Sequence, residues 1–278
     1  MVGLCLTVLA FPVLALSAVE DLVQRKAEIL RIVHKKARKA LANAAQDHAF
    51  QGYFTSTDAV SRDAFKDRID RIALGVQSRF DAEEMCLIDP AGREISRVVG
   101  SRIDHDLTDG EAHANFFAPG FAHKPRSVHV SPAYLSDDAH KWVVAYATPV
   151  MVGDDKRAIL HYEHGLDRYQ RTLNRDLDGD DVFLLTIDAE GYVIADSRRR
   201  IGVARHHEQH APADYFQRFE FGGDALAATR RRIDERHLLR SVEGRAYHAA
   251  YATVEDWTLI AFRSAARDAR DEQQRVLP

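Results

Sequence analysis

Two rhythms of apolar and polar positions run through this chain. Residues 19–50 contain neither Pro nor Gly, and Leu22, Ile29, Val33, Ala37, Ala40 and Ala44 recur mostly at three-to-four spacing. That pattern predicts one long amphipathic helix with a narrow stripe of small residues. A turn is expected around Gly52–Thr57. A second helix is expected over 58–80, with Ile69, Ile72, Val76 and Phe80 on one face. From there the period shortens. Apolar runs predict strands at 85–89, 93–99, 128–131, 142–150 and 157–164, a short helix at 166–175, and strands at 182–188 and 192–196. Helical pieces across 212–238 precede a closing strand pair at 245–252 and 257–262. The charged tail, 264–278, reads as helical.

Part of this pattern occurs twice. Residues 85–95 read MCLIDPAGREI and residues 184–194 read LLTIDAEGYVI, so Asp89, Gly92 and Ile95 are echoed by Asp188, Gly191 and Ile194. An apolar run ending in Asp-x-x-Gly predicts a β-hairpin, in which Asp bonds the nearby backbone and Gly takes a positive φ. A second echo, Ala145–Val150 (AYATPV) and Ala250–Glu255 (AYATVE), falls at nearly the same offset. A period near 100 residues is too long for a solenoid and fits tandem α+β modules.

Composition adds three bounds. A length of 278 residues allows two domains plus extra elements. A net charge of −4 gives no broad basic surface for nucleic acid, and the Arg198–Arg200 and Arg230–Arg232 clusters read as solvated faces. The two cysteines, Cys5 and Cys86, form no framework, and Cys86 reads as a small buried hydrophobe. Residues 3–18 carry no charge. That run suits a cleaved signal peptide or an uncleaved membrane anchor, either of which exports the remainder.

At this point the chain resembles a known family, the double Cache sensor domain of bacterial chemoreceptors, histidine kinases and cyclic-dinucleotide enzymes. The resemblance is carried by Leu87–Gly92, by Val130–Tyr134, by the strand pair around Tyr146 and Ala158–Glu163, by Gly165–Asp167 and by Phe183–Ser197. It implies an α+β fold, with a long N-terminal helix packed along two PAS-like antiparallel modules. The expected division is a leader at 1–18, the long helix at 19–57, a membrane-distal ligand-binding module at 58–175, a membrane-proximal module at 176–265 and a tail at 266–278. The implied function is extracytoplasmic, periplasmic small-molecule sensing in signal transduction, without catalysis or cofactor.

The resemblance also implies where a ligand would sit: between the inner sheet face and the irregular segment 100–127. Glu163 stands where amino-acid-binding members hold the ligand ammonium, and Tyr134 matches their Tyr after the third strand. The Arg that would clamp a ligand carboxylate is replaced by Ala114, their Trp-Tyr pair by Phe116-Phe117, and an expected Asp by Ser136. The candidate set is therefore Phe116, Phe117, His129, Ser131, Tyr134, Tyr146 and Glu163, suited to a small polar or cationic metabolite beside an aromatic wall. Arg126, as an anion partner, would reverse that preference. Partners expected are the metabolite, a membrane-bound signalling protein, and a second copy docking along residues 19–50.

Other chemistry is poorly supported. His206-His207-Glu208-Gln209-His210 lacks the Glu that a zinc-peptidase motif places directly after its first His. Asp176–Asp181 lacks the Gly and Glu of a calcium loop and reads as a linker. No Gly-x-Ser-x-Gly, phosphate-binding glycine loop or Cys-x-x-Cys occurs. The alternatives to a sensor are an interaction module without a small ligand and, further off, a periplasmic enzyme.

Overall fold

The computed structural model describes residues 10–177, 181–201 and 216–266. The His206–His210 cluster, the centre of the Asp176–Asp181 run, the first nine residues and the tail beyond 266 lie outside them. Contacts divide the chain into two compact units. One is built on Ile32–Arg168; the other takes residues up to Arg31 and returns at Tyr169.

The first unit opens with the second half of helix α1 (Ala10–Ala44). Its buried positions, His34, Ala37 and Leu41, keep helical spacing. The chain breaks before the expected end of a single helix because Asp47 starts a new one. Its carboxylate accepts from the Ala49 N–H, capping α2 (His48–Thr55). Gly52 lies inside α2 and not in a turn. A Cβ there would stand 2.3 Å from the Phe65 ring, so glycine lets α2 lie directly on α3 (Ala59–Phe80).

A seven-stranded antiparallel sheet follows: β1 (Glu84–Ile88), β2 (Glu94–Val99), β3 (Arg102–Asp104), β4 (His129–Val130), β5 (Tyr134–Ser136), β6 (Lys141–Val152) and β7 (Asp155–Gly165). Its order is β3-β2-β1-β7-β6-β4, with β5 also on β6. The segment expected to be irregular holds β3, a single 3-10 turn at Glu111–His113, and α4 (Phe117–Ala122).

In the second unit the first half of α1 buries Val19, Val23, Ala27 and Leu30. The stripe expected from sequence is rotated on both halves of the helix. Of its members only Ala37 is fully buried, because two polar residues take core positions with partners of their own. Lys26 reaches the Arg175 carbonyl, and His34 bonds Tyr146 within the first unit. Helix α5 (Leu166–Asn174) leads to a five-stranded sheet of β8 (Val182–Ile187), β9 (Val193–Asp196), β12 (Leu239–Arg240), β13 (Ala246–Val254) and β14 (Trp257–Ser264), ordered β12-β13-β14-β8-β9. Within 212–238 the described residues hold a hairpin, β10 (Glu220–Phe221) with β11 (Asp224–Ala225), and then one helix, Leu226–Asp234. Gly222 and Gly223, both at positive φ, make the hairpin turn that helical reading overlooked.

The two echoed hairpins share their geometry. Asp89 Oδ1 accepts from Ala91 and Arg93, and Asp188 Oδ1 from Glu190 and Tyr192. Gly92 and Gly191 follow at φ +82° and +87°, and each first strand shifts register just before its Asp.

Candidate functional site

Strand register decides which side chains share the inner face of the first sheet. Across β1 and β7, Glu84 stands opposite Glu163, Cys86 opposite His161 and Ile88 opposite Ile159. Ala145 and Ala147 continue these rows on β6, and Arg97 and His129 extend one row onto β2 and β4. Opposed residues point to the same side of a sheet. One face therefore carries Arg97, Cys86, His161, Ala147 and His129 in a row, beside Glu84, Glu163 and Ala145.

The irregular segment covers this face. Phe116 lies flat on the His161 ring, with centroids 4.0 Å apart and planes 8° apart, and tilts against Tyr134 at 6.0 Å. Phe117 packs edge-on to Phe121. Gly120 brings α4 onto the sheet, since a Cβ there would stand 2.8 Å from the Ala147 Cβ. Tyr134 donates to Glu163 Oε1 at 2.5 Å. Glu163 Oε2 and both ring nitrogens of His161 are buried without a hydrogen-bond partner, and Glu163 and His161 are 3% and 1% exposed. Leaving such groups unpaired costs about 1–3 kcal/mol each.

The remaining predicted residues divide. Ser131 is buried, but its hydroxyl is spent on backbone, accepting from Ala145 N and donating to Pro132 O. His129 shares the inner row yet packs its ring against His123. Tyr146 is not brought to this face. It pairs with Tyr162, stacks on that ring at 4.9 Å, and places its hydroxyl 2.6 Å from His34 Nδ1. The cause is a bulge in the β6–β7 hairpin. Val152 and Met151 pair with Asp155 and Lys156, but Val150 pairs with Ala158, so Arg157 is one extra residue. Without it Tyr146 would oppose His161 and share its face; one residue of slip moves every later side chain across. Arg126 is exposed, at φ +66°.

Arg97, Glu84, Glu94, Asp138 and Cys86, absent from the sequence-based set, complete the electrostatics. Arg97 lies 3.3 Å from Glu84 and 3.7 Å from Glu94, and also pairs with Asp138. Burial opposes its charge, but Asp138, Glu84 and Glu94 raise its pKa further. Burial, then Glu163 and Asp138, push the Glu84 carboxyl well above its ordinary value. Burial and the adjacent Glu163 raise the Tyr134 hydroxyl as well. Glu84, Cys86 and Glu94 come close enough together to ligate a metal. However, the Cys86 thiol donates to both carboxylates at 3.1 Å, and burial raises its pKa, so the trio is held by protein hydrogens and by Arg97. The period-two alternation that places Glu163 on the face also places His161 there. Glu84 escaped because its strand begins one residue earlier than the apolar run.

A cleft of about 750 Å³ lies elsewhere in this unit, lined by Tyr53, Phe54, Lys66, Arg93 and Arg157 among others. Lys66 and Arg93 are paired with Asp70 and Asp89. The second unit's core cluster is apolar, with Phe221, Phe262 and Phe183 stacked in series. No helix among the described residues is long and apolar enough to cross a membrane.

No family model and no curated protein matches the sequence. Solved structures do match. The ligand-binding domain of the Campylobacter jejuni chemoreceptor Tlp3, in complex with L-norvaline, aligns with a TM-score of 0.70 at 13% identity, over 96% of this chain and 97% of that one. The sensor domain of the Vibrio cholerae histidine kinase DctB aligns at 0.60 and 13%, over 90% and 96%. The ligand-binding domain of the Pseudomonas fluorescens chemoreceptor CtaA, in complex with L-leucine, aligns at 0.60 and 11%, over 92% and 97%. These relatives are sensor domains, and over nearly its whole length this chain has their fold, the double Cache fold.

Proposed function

We propose that this chain is an extracytoplasmic small-molecule sensor, and that its ligand, a small amine or other compact cation, binds on the inner face of the first sheet. The observation that carries this reading is the buried, unpartnered Glu163 Oε2 beside His161, in a site with an excess of carboxylates. Glu84, Glu94 and Glu163 are all buried there, and Arg97 is already engaged by the first two and Asp138. A ligand ammonium would give Glu163 its missing partner. Among the described residues of this face a ligand carboxylate would meet only Arg97, which is already held in ion pairs. This argues for amines over the amino acids named with the Tlp3 and CtaA domains.

Binding there would displace or re-seat Phe116 and press on β6 and β7. The Tyr146–His34 bond joins β6 to α1 and offers a route for that change to leave the site. The receiver would be a membrane-bound signalling partner. A homodimer along residues 19–50 is part of the same proposal, with Ile32 (41% exposed) and the half-buried Ile29 and Val33 available to a second copy. The uncharged leader supports a place outside the cytoplasm.

The test is a thermal-shift screen against amines, amino acids, organic acids and purines, followed by calorimetry. A ligand at 100 times its dissociation constant adds about 2.7 kcal/mol of stability. Glu163→Gln should abolish amine binding; unchanged affinity would sink the proposal. A second reading, an interaction module with no small ligand, is favoured by Phe116 lying directly on His161. A melt that no compound shifts would select it.

A further inference from the structure

The second unit holds a group of arginines that small-molecule sensing on the first sheet leaves unused. Arg171 and Arg175 come from α5 and the residue after it. Arg198, Arg199 and Arg200 come from the turn leaving β9. All five line one open cleft of about 660 Å³, with Gln170, Asn174 and Ser197 completing its wall. Among the described residues no carboxylate lines it. Asp196, just outside, takes Arg198 in a two-pronged contact at 2.9 and 2.8 Å and Arg199 more loosely at 3.9 Å. Among the described residues no carboxylate pairs with Arg175 or Arg200. In a chain of net charge −4, this is a local excess of positive charge.

The backbone that carries the arginines is held in place. Gln170, 6% exposed, donates to the carbonyls of Asp196 and Arg199 and accepts from the Ile201 N–H. Asn174 donates to the Ser197 carbonyl. The Ser197 hydroxyl accepts from Leu184 N on β8. One buried amide thus fastens the arginine-bearing turn to the helix that supplies the other two. A turn of three consecutive arginines needed only for solubility would not require that fastening. Guanidinium forks match the tetrahedral oxygens of phosphate groups, and like charges brought together are relieved by an anion between them.

We propose that this cleft binds a phosphate-bearing anion, at a second site independent of the one on the first sheet. The shared chemistry is a phosphoryl group or a short run of them, from a free polyphosphate or a phospholipid headgroup. Two probes distinguish the sources: inorganic tripolyphosphate by calorimetry, and phosphatidylglycerol vesicles by flotation against phosphatidylcholine vesicles. The variants are Arg175→Glu and Arg200→Glu, one from each segment. The control is Arg231→Glu, an exposed position on the helix Leu226–Asp234 that changes net charge equally. Tripolyphosphate should bind one per chain, more weakly as salt rises. Each site variant should weaken it about tenfold, the loss of one charge-assisted contact, while the control stays within about twofold. Flotation with phosphatidylglycerol, lost in Arg200→Glu, without tripolyphosphate binding would assign the headgroup as the source and support the site equally. Binding to neither probe, or equal weakening by Arg231→Glu, would overturn the proposal.

Discussion

His34 makes a quantitative prediction. It is buried on α1, with Nδ1 on the Tyr146 hydroxyl, and the charges facing it are Arg38 on the same helix and His164 on β7. Burial, then Arg38 and His164, lower its pKa from 6.5 to about 4. Above pH 6.5 the ring is neutral in both the folded and unfolded chain, and its contribution to stability is fully present. Between 6.5 and 4 the unfolded chain binds a proton that the folded chain refuses, so stability falls as pH falls. Below about 4 both forms are protonated and the loss is complete. At about 1.4 kcal/mol per pH unit, the interval is worth about 3.4 kcal/mol, an upper bound. Glu84 works in the opposite direction: its raised pKa makes stability fall as pH rises above its ordinary value of 4.5. The wild-type curve mixes the two, so the informative quantity is the difference from His34→Asn, which cannot titrate. Urea melts at pH 4.5 and 7.5 would be read from Trp142, buried in the same unit, with Trp257→Phe in both proteins to silence the other indole. The advantage of wild type over His34→Asn should shrink by about 2–3 kcal/mol at the lower pH. A difference that stays constant within about 0.5 kcal/mol would refute a buried, neutral His34.

Further expectations follow from packing. Gly92→Ala should cost about 2 kcal/mol or more, because φ is +82° and a Cβ would stand 2.4 Å from the Ala112 backbone nitrogen, which cannot swing aside. Gly100→Ala, at φ +58° with open space around it, should cost about 1 kcal/mol, so equal melting points for the two would contradict the clash. Phe116→Ala should destabilise by about 3 kcal/mol in denaturant melts if the ring is core packing; a loss under about 1 kcal/mol would instead mark it as a plug over the candidate site.

What could be read from the sequence was local. The Asp-x-x-Gly hairpins are visible because the Asx bonds close within four residues, and both copies form them. The family resemblance, not alternation, singles out Tyr134 and Glu163; β5 and β7 bring them within hydrogen-bond reach. Tyr146 shows the boundary. Its face is set by whether the hairpin at Gly153 contains one extra residue, and nothing in the local pattern announces Arg157 as a bulge. The Arg97 cluster was hidden for another reason. Charged residues on β1, β2 and β7 and in the turn before β6 gain meaning only when the sheet order β2-β1-β7-β6 places them side by side. Similarly, the apolar stripe of α1 was misjudged because buried His34 and Lys26 take positions that hydropathy assigns to solvent.

The division of α1 between two units has a consequence for how the protein assembles. Residues 32–168 are contiguous and hold every described residue of the first unit, so these are all present once that stretch exists. The second unit draws on residues before Arg31 and after Arg168. Its share of the helix, with the buried row Val19, Val23, Ala27 and Leu30, is joined by the whole of its unit only after β13 and β14 have been made. At ~5–20 residues per second, that leaves this stretch of helix waiting for roughly 5–20 seconds after residue 168 has been made. Translation speed and chaperone access should therefore govern the yield of the second unit far more than that of the first.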